Sequence, residues 1–229
     1  MVDIKILEDW HHRFPGSHIG MLLIGNVNNS KRTTPLDARK KDIESSLRDK
    51  YAGFSRADLL SIDTLNAYKN YYKKFKKTYH VQLQLESVVL KGKSLPNVTP
   101  LVDANFASEM ETLLLTAGHD ADLLEGPISI GVTNGSESFT QINGNLKMLK
   151  AGDMMMKDEK GVVCSIIYGQ DMRTPISPKT KRALYVTYVP EGISREAVIS
   201  HLDKIKENIL LFASDVEIEY QKVFSVGLE

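Results

Sequence analysis

The chain has almost no cysteine. Cys164 is the single one in 229 residues, so no internal disulfide can form and a reducing compartment is expected. It lies in the apolar run "GVVCSIIYG", where a lone thiol reads as a small buried hydrophobe. No run approaches the roughly 18 to 20 apolar residues that span a bilayer, and "MVDIKILEDW" lacks the apolar stretch of a signal peptide. The expectation is a soluble cytoplasmic protein with no membrane partner. Charge excess is missing too: Lys+Arg and Asp+Glu each number 29. Non-specific coating of DNA needs a basic surplus, so DNA is not expected as a partner. A local basic face remains open.

Familiar catalytic signatures are also absent. There is no GxxxxGK[ST], no GxGxxG after a strand, no GxSxG elbow, no HExxH and no Cys/His quartet. The histidines are His11, His12, His18, His80, His119 and His201. His119, Asp120 and Asp122 could offer hard ligands, but no wider cluster accompanies them. No metal or cofactor is called for.

What is present is an ordinary globular composition, 42% hydrophobic and 25% charged, in a chain long enough to bury a core. Residues 18–29 read as a buried strand running into a turn. Residues 35–51 read as a helix with Pro35 in its first turn. Helical spacing continues through 55–79 and again through 100–115. Short β-type runs follow, separated by "NGSE", "NGN", "KAGD" and "DEKG" turns. Residues 194–213 read as a helix capped by Ser194, and 215–224 as a last strand. Helices, then strands, then a helix indicate α+β rather than a parallel βαβ sheet.

Two stretches carry candidate chemistry. "YKNYYKKFKKTYH" (68–80) interleaves Lys69, Lys73, Lys74, Lys76 and Lys77 with aromatics. It suits RNA phosphates and bases, or an amphipathic helix with packed tyrosines and solvated lysines. "LVDANFASEMETLLLTAGHDADLLEG" (101–126) puts Asp103 and Asn105 at the start of an apolar helix, and His119, Asp120 and Asp122 after it. Asp103 as a cap and Gly118 as a helix stop form the structural alternative. The polar loop "MRTPISPKTKRA" between two apolar strands is a further place for a site.

"LPNVTPLVDANFASEMETLLLTAGHDADLLEG", "GSESFTQING" and "AGDMMMKDEKGVVCSIIYGQDMRTPISPKTKRALYVTYV", in this order, resemble the tRNA-editing B3/B4 module of the phenylalanyl-tRNA synthetase β-subunit. They resemble still more the freestanding proteins built from that module alone. The best match covers about residues 66–190, with 194–224 as a C-terminal helix and strand, so residues 1–229 are expected as one B3/B4-like domain. The resemblance implies a three-layer α+β fold, a β-sandwich of unusual topology packed with helices. It also implies a tRNA partner and a pocket that, in the synthetase, hydrolyses tyrosine wrongly attached to tRNA for phenylalanine. Asn105, His119, Asp171 and Arg173 are the implied catalytic group, Asn105 as an oxyanion donor. Asp103, Asp120, Glu137, Tyr168 and Thr174 are the implied pocket residues. Two positions depart from the pattern: the family's histidine falls on Ala117, and the glutamate that reads the tyrosine hydroxyl falls on Leu146. The expectation is a tRNA-binding hydrolase that clears a misacylated or non-standard aminoacyl-tRNA in trans, not an aminoacylating synthetase. The alternative is a non-catalytic module for RNA or an amino-acid-like ligand.

Overall fold

The structure, a computed structural model, describes residues 3–30 and 33–227; residues 1–2, 31–32 and 228–229 of the expected domain lie outside them. The chain opens with strand β1 (Ile4–Ile6), helix α1 (Glu8–Arg13) and strand β2 (His18–Gly25). Helices α2 (Thr34–Lys50), α3 (Arg56–Leu59), α4 (Asp63–Lys73), α5 (His80–Val89) and α6 (Pro100–Thr112) follow. Then come β3 (Thr116–Asp120), a 3-10 turn (Ala121–Leu123), β4 (Ile128–Val132), β5 (Ser138–Thr140) and β6 (Leu146–Met148). The last elements are β7 (Met154–Asp158), β8 (Gly161–Ser165), β9 (Gly169–Gln170), β10 (Ala183–Val189), α7 (Arg195–Leu210) and β11 (Glu217–Ser225).

Among the described residues the strands form a five-stranded sheet, β1-β4-β7-β8-β9, a four-stranded sheet, β11-β2-β10-β3, and the β5-β6 hairpin. β1 joins β4 in parallel and the remaining pairs are antiparallel. The class is α+β, as the element order predicts. β2 and β10 are buried at every residue. That is why both read as continuous apolar runs rather than alternating ones. α7 lies against β2, and Gly20 permits the close approach: a Cβ there would stand 2.6 Å from the Val198 side chain. Ser194 caps α7 as expected, its side chain accepting from the Ala197 N–H. Among the described residues no helix is long and apolar enough to cross a membrane.

Three expectations need correction. The helix expected over 55–79 breaks in two. Ser55 and Asp58 form a capping box for α3, and the Ser61 hydroxyl donates to Asp58 O, closing that helix before Asp63 starts the next. The helix expected to 115 ends at Thr112, with Leu113 in the left-handed region at φ 63°. Gly118 is therefore no helix stop; it sits inside β3, opposite Tyr185 of β10.

In 68–80 the tyrosines pack and the lysines face water. Tyr68, Tyr71, Tyr72 and Tyr79 are buried, with Tyr68 stacked on Tyr79 at 4.1 Å. Each hydroxyl finds an acceptor. Tyr68 donates to Tyr188 O, Tyr71 to Asp153 Oδ1, Tyr72 to Ile166 O and Tyr79 to Leu113 O. These bonds hold α4 and α5 against both larger sheets.

Asp103 has a structural role. It is 1% exposed. Its Oδ2 lies 2.8 Å from Lys40 Nζ of α2, and its Oδ1 accepts the Val98 N–H. Lys40 also donates to Asn97 Oδ1. Removing one member of such a buried pair strands the other's charge, at a cost of about 3–5 kcal/mol. Lys40→Ala is expected to lose about that much in urea denaturation. Lys40→Met combined with Asp103→Leu should recover most of it. A loss under 1 kcal/mol for the single change would refute the assignment.

Candidate functional site

A cavity of about 430 Å3 opens where the two larger sheets meet α5 and α6. α6 contributes Val102, Asn105 and Phe106; β3 contributes Thr116, Ala117 and Gly118. β8 and β9 contribute Cys164, Ser165, Gly169 and Gln170, and β10 contributes Tyr185 and Tyr188. His80 enters from the start of α5, and Ile142 and Ile176 close the apolar wall. The volume and the largely apolar lining are those of a small-molecule site.

The few polar groups have fixed orientations. The Tyr72 hydroxyl uses its one hydrogen on Ile166 O at 2.8 Å. At its 3.2 Å contact with His80 Nδ1 it can therefore only accept. Nδ1 carries the proton and Nε2 holds a lone pair. Part of His80 remains in solvent, yet burial of the ring pushes its pKa down to about 4, so the ring is neutral near pH 7. Asn105, on α6, donates Nδ2 to Thr116 O at 3.0 Å, and its buried Oδ1 has no partner. Asn105 is thus tied to β3 through a backbone carbonyl, rather than holding Nδ2 free as the oxyanion donor expected from sequence. Gln170 Nε2 donates to Thr174 O at 2.8 Å and lies 3.0 Å from His119 Nδ1.

The other sequence-predicted residues stand around the cavity rather than in it. His119 is fully buried behind Gln170, 2.9 Å from Thr174 Oγ1. Burial lowers its pKa to about 3, and Nε2 has no partner. Thr174 donates to Asp171 Oδ1 through both N and Oγ1. Arg173 forks onto both oxygens of Asp158 at 3.1 Å, and its Nε lies 2.7 Å from Asp171 Oδ2. The guanidinium clamps the end of β7 to the 171–174 turn and does not line the cavity. Asp120 accepts from the Asp122 N–H and the Thr180 hydroxyl, which caps the 3-10 turn. Glu137 accepts the Asn134 and Gly135 N–H groups, closing its own turn. Tyr168 lies under Lys147 Nζ at 4.7 Å. Leu146, on β6, is 70% exposed and reads nothing in the cavity. Among the described residues no group of three or more His, Cys, Asp or Glu is placed to hold a metal ion.

Sequence reasoning missed His80 and Ser165, and within the 168–174 stretch it chose Tyr168, Asp171, Arg173 and Thr174 but not Gln170. Ser165 Oγ donates to Asp153 Oδ2 at 2.7 Å, and burial raises the Asp153 carboxyl to about 6. No local motif marks any of the three.

A basic groove adjoins the cavity. Arg56, Lys69, Lys73, Lys76 and Lys77 line it, with Thr78 and Tyr79 at its base. Lys74 turns aside and sits 5.8 Å over the Tyr71 ring. Arg56 is paired with Glu86 at 2.9 Å. Among the described residues no carboxylate pairs with the four groove lysines. The two features meet along the chain: Thr78 and Tyr79 line the groove, and the next residue, His80, lines the cavity.

Comparison with known proteins gives one family. The model of the B3/4 domain matches residues 64–204, more than half of the chain. No curated protein matches. Among solved structures, an N-terminal fragment of the phenylalanyl-tRNA synthetase beta-subunit from Pyrococcus horikoshii is similar at 9% identity with a TM-score of 0.46. The match covers 97% of this chain and 50% of that one, so the chain spans about half the fragment's length.

The junction of α6 and β3 carries a testable charge. Glu109 is 2% exposed and accepts the Thr116 N–H at 2.8 Å. Burial raises its pKa to about 8 from 4.5. The folded state keeps this proton up to about pH 8, whereas the unfolded chain releases it near 4.5. Stability from this group therefore falls as pH rises between those values. Glu109→Gln keeps the acceptor and removes the titration. The variant should match the wild type near pH 4.5 and exceed it by a margin that grows up to pH 8. The buried histidines are common to both proteins and cancel in the difference. A gap that does not change with pH in urea melts would overturn the assignment.

Proposed function

The chain belongs to the B3/4 domain family, and from that premise we propose that it binds tRNA and hydrolyses a misacylated or non-standard aminoacyl-tRNA in trans. The observation that carries the reading is that consecutive residues line the two features, Thr78 and Tyr79 the basic groove and His80 the apolar cavity. Phosphates of the RNA lie along Lys69, Lys73, Lys76 and Lys77, and the acyl group at the RNA end enters the cavity. Water is the nucleophile. His80 Nε2, with its free lone pair, is the group suited to take the proton from it. No carboxylate lines the cavity, so a phenol would find no acid to read it, and apolar side chains fit best. The reading treats the whole chain as one such domain, working in the cytoplasm, where aminoacyl-tRNA is found.

One observation favours the alternative, a module that binds RNA or an amino-acid-like ligand without turnover. Asn105 and Gln170 both donate to backbone carbonyls, which leaves few donors for a developing oxyanion.

Deacylation of a panel of misacylated tRNAs separates the two. The hydrolytic reading expects at least one ester to be cleared. His80→Ala should lower that rate by about 10²-fold or more, at unchanged thermal stability on the same preparation. Binding with no acceleration of any ester supports the alternative. For the RNA contact, Lys69, Lys73, Lys76 and Lys77 changed together to Gln should weaken tRNA binding. The salt slope should fall by up to about 0.9 per contact, the duplex B-DNA value. Lys74→Gln should change neither, and equal behaviour of the two variants would refute the groove's role.

A further inference from the structure

Two asparagines of the chain's turns are followed by glycine, Asn134-Gly135 in "TNGSE" and Asn143-Gly144 in "INGN". Both pairs are exposed, and both glycines take positive φ, 95° and 82°. In such a pair the glycine nitrogen, unshielded by a neighbouring Cβ, can attack the asparagine carboxamide carbon and close a five-membered imide. A base for the N–H proton and donors for the developing oxyanion speed that closure. The two turns differ in both.

At Asn134 both aids are in place. The Gly135 N–H donates to Glu137 Oε2 at 3.0 Å. The side-chain atom of Asn134 that lies 2.8 Å from the Ser136 nitrogen must be oxygen, because a backbone N–H only donates. The same Oδ1 accepts the Ser136 hydroxyl at 2.7 Å. The nucleophile thus faces a carboxylate, and two donors hold the carbonyl to be attacked. At Asn143 the Gly144 N–H donates to Gln141 O at 2.8 Å, an amide oxygen with little basicity. Asn143 Oδ1 accepts one N–H, from Asn145 at 3.0 Å.

We infer that Asn134 is a self-modification site, deamidated through the Gly135 nitrogen with Glu137 as base and Ser136 as oxyanion donor. The bond from Gly135 N to Asn134 Cγ forms as Glu137 takes the N–H proton. The Ser136 N–H and hydroxyl hold the tetrahedral oxyanion. Its collapse breaks the Cγ–Nδ2 bond, and the nitrogen leaves as ammonia with the proton Glu137 had taken. Water, open to this exposed turn, then splits the imide at either carbonyl and gives aspartate or isoaspartate. Both products set a new carboxylate beside Glu137, and isoaspartate also lengthens the main chain within the turn. Glu137 O accepts the Leu149 N–H just after β6, and Ile142, at the tip of the β5-β6 hairpin, lines the cavity. The modified turn is therefore linked to a wall of the cavity.

The test is ageing of the full chain at neutral pH, with fragmentation mass spectrometry reading each asparagine separately. In the folded protein Asn134 should deamidate at least about tenfold faster than Asn143, a modest part of what a positioned base contributes. In urea, where both turns are lost, the two rates should converge. Glu137→Gln keeps an acceptor for the turn and removes the base, and Ser136→Ala removes one oxyanion donor. Each should bring the Asn134 rate down toward that of Asn143, whose own rate stays unchanged. Asn134 reacting no faster than Asn143 in the folded protein overturns the inference, as does the absence of reaction at both. A preference that survives both substitutions, or that persists in urea, also overturns it. Thermal melting checks each variant; Ser136→Ala carries the comparison if Glu137→Gln loosens the turn.

Discussion

The buried tyrosine hydroxyls of α4 and of the segment leading into α5 are the constraint on which the rest depends. Tyr68 shows it most clearly: its hydroxyl accepts the Leu115 N–H and donates to Tyr188 O. One phenol thereby satisfies a donor just ahead of β3 and an acceptor in β10, at the floor of the cavity. Tyr71 does the same between Asp153 and the Met154 N–H. Buried backbone polar groups are costly to leave unpaired. The helices therefore cannot slide along the sheets without breaking several bonds at once. The cavity is the space these fixed distances leave open, and Tyr72 sets the tautomer of the histidine at its edge.

Within that frame, the acidic and basic side chains nearest the cavity maintain shape. Arg173 joins Asp158 to Asp171, Asp120 caps a turn, and Asp103 neutralises Lys40. The polar side chains that line the cavity itself are neutral: a histidine, two carboxamides, a serine, a threonine, a thiol and two phenols. Recognition in the cavity then depends on where donors and acceptors stand, and long-range charge is confined to the lysine groove next to it.

The elements with long apolar patterns were legible from sequence. β2, β10, α7 with its Ser194 cap, and the turn-separated strands fall where periodicity and turn residues put them. β1 was missed because three residues carry no period; it exists through its pairing with β4. β3 was misread because "TAGHD" has no alternation and its partner lies some sixty residues away in the chain. The groove was partly legible. Lys69 and Lys73 stand four apart on one helix face, Lys76 and Lys77 follow in the next turn, and Lys74 falls on another face. The cavity's polar groups were less so. Asn105 was chosen for its place before an apolar helix, but its available atom is decided by Thr116 O. His80 passed as an isolated histidine because its usable nitrogen depends on Ile166, far along the chain. Arg173 looked catalytic in a polar loop, since nothing nearby in sequence announced Asp158.

The order of the four-stranded sheet has a consequence for how the protein is made. β2, residues 18–25, pairs with β10 at 183–189 on one side and β11 at 217–225 on the other. Its eight buried residues leave the ribosome well before either neighbour. During synthesis this apolar strand has no native sheet to join until β10 has emerged. Contacts of such sequence separation slow folding and prolong the exposure of sticky intermediates. In the cell, β2 is thus the segment with the longest wait, and the one a chaperone that grips extended apolar chain would hold.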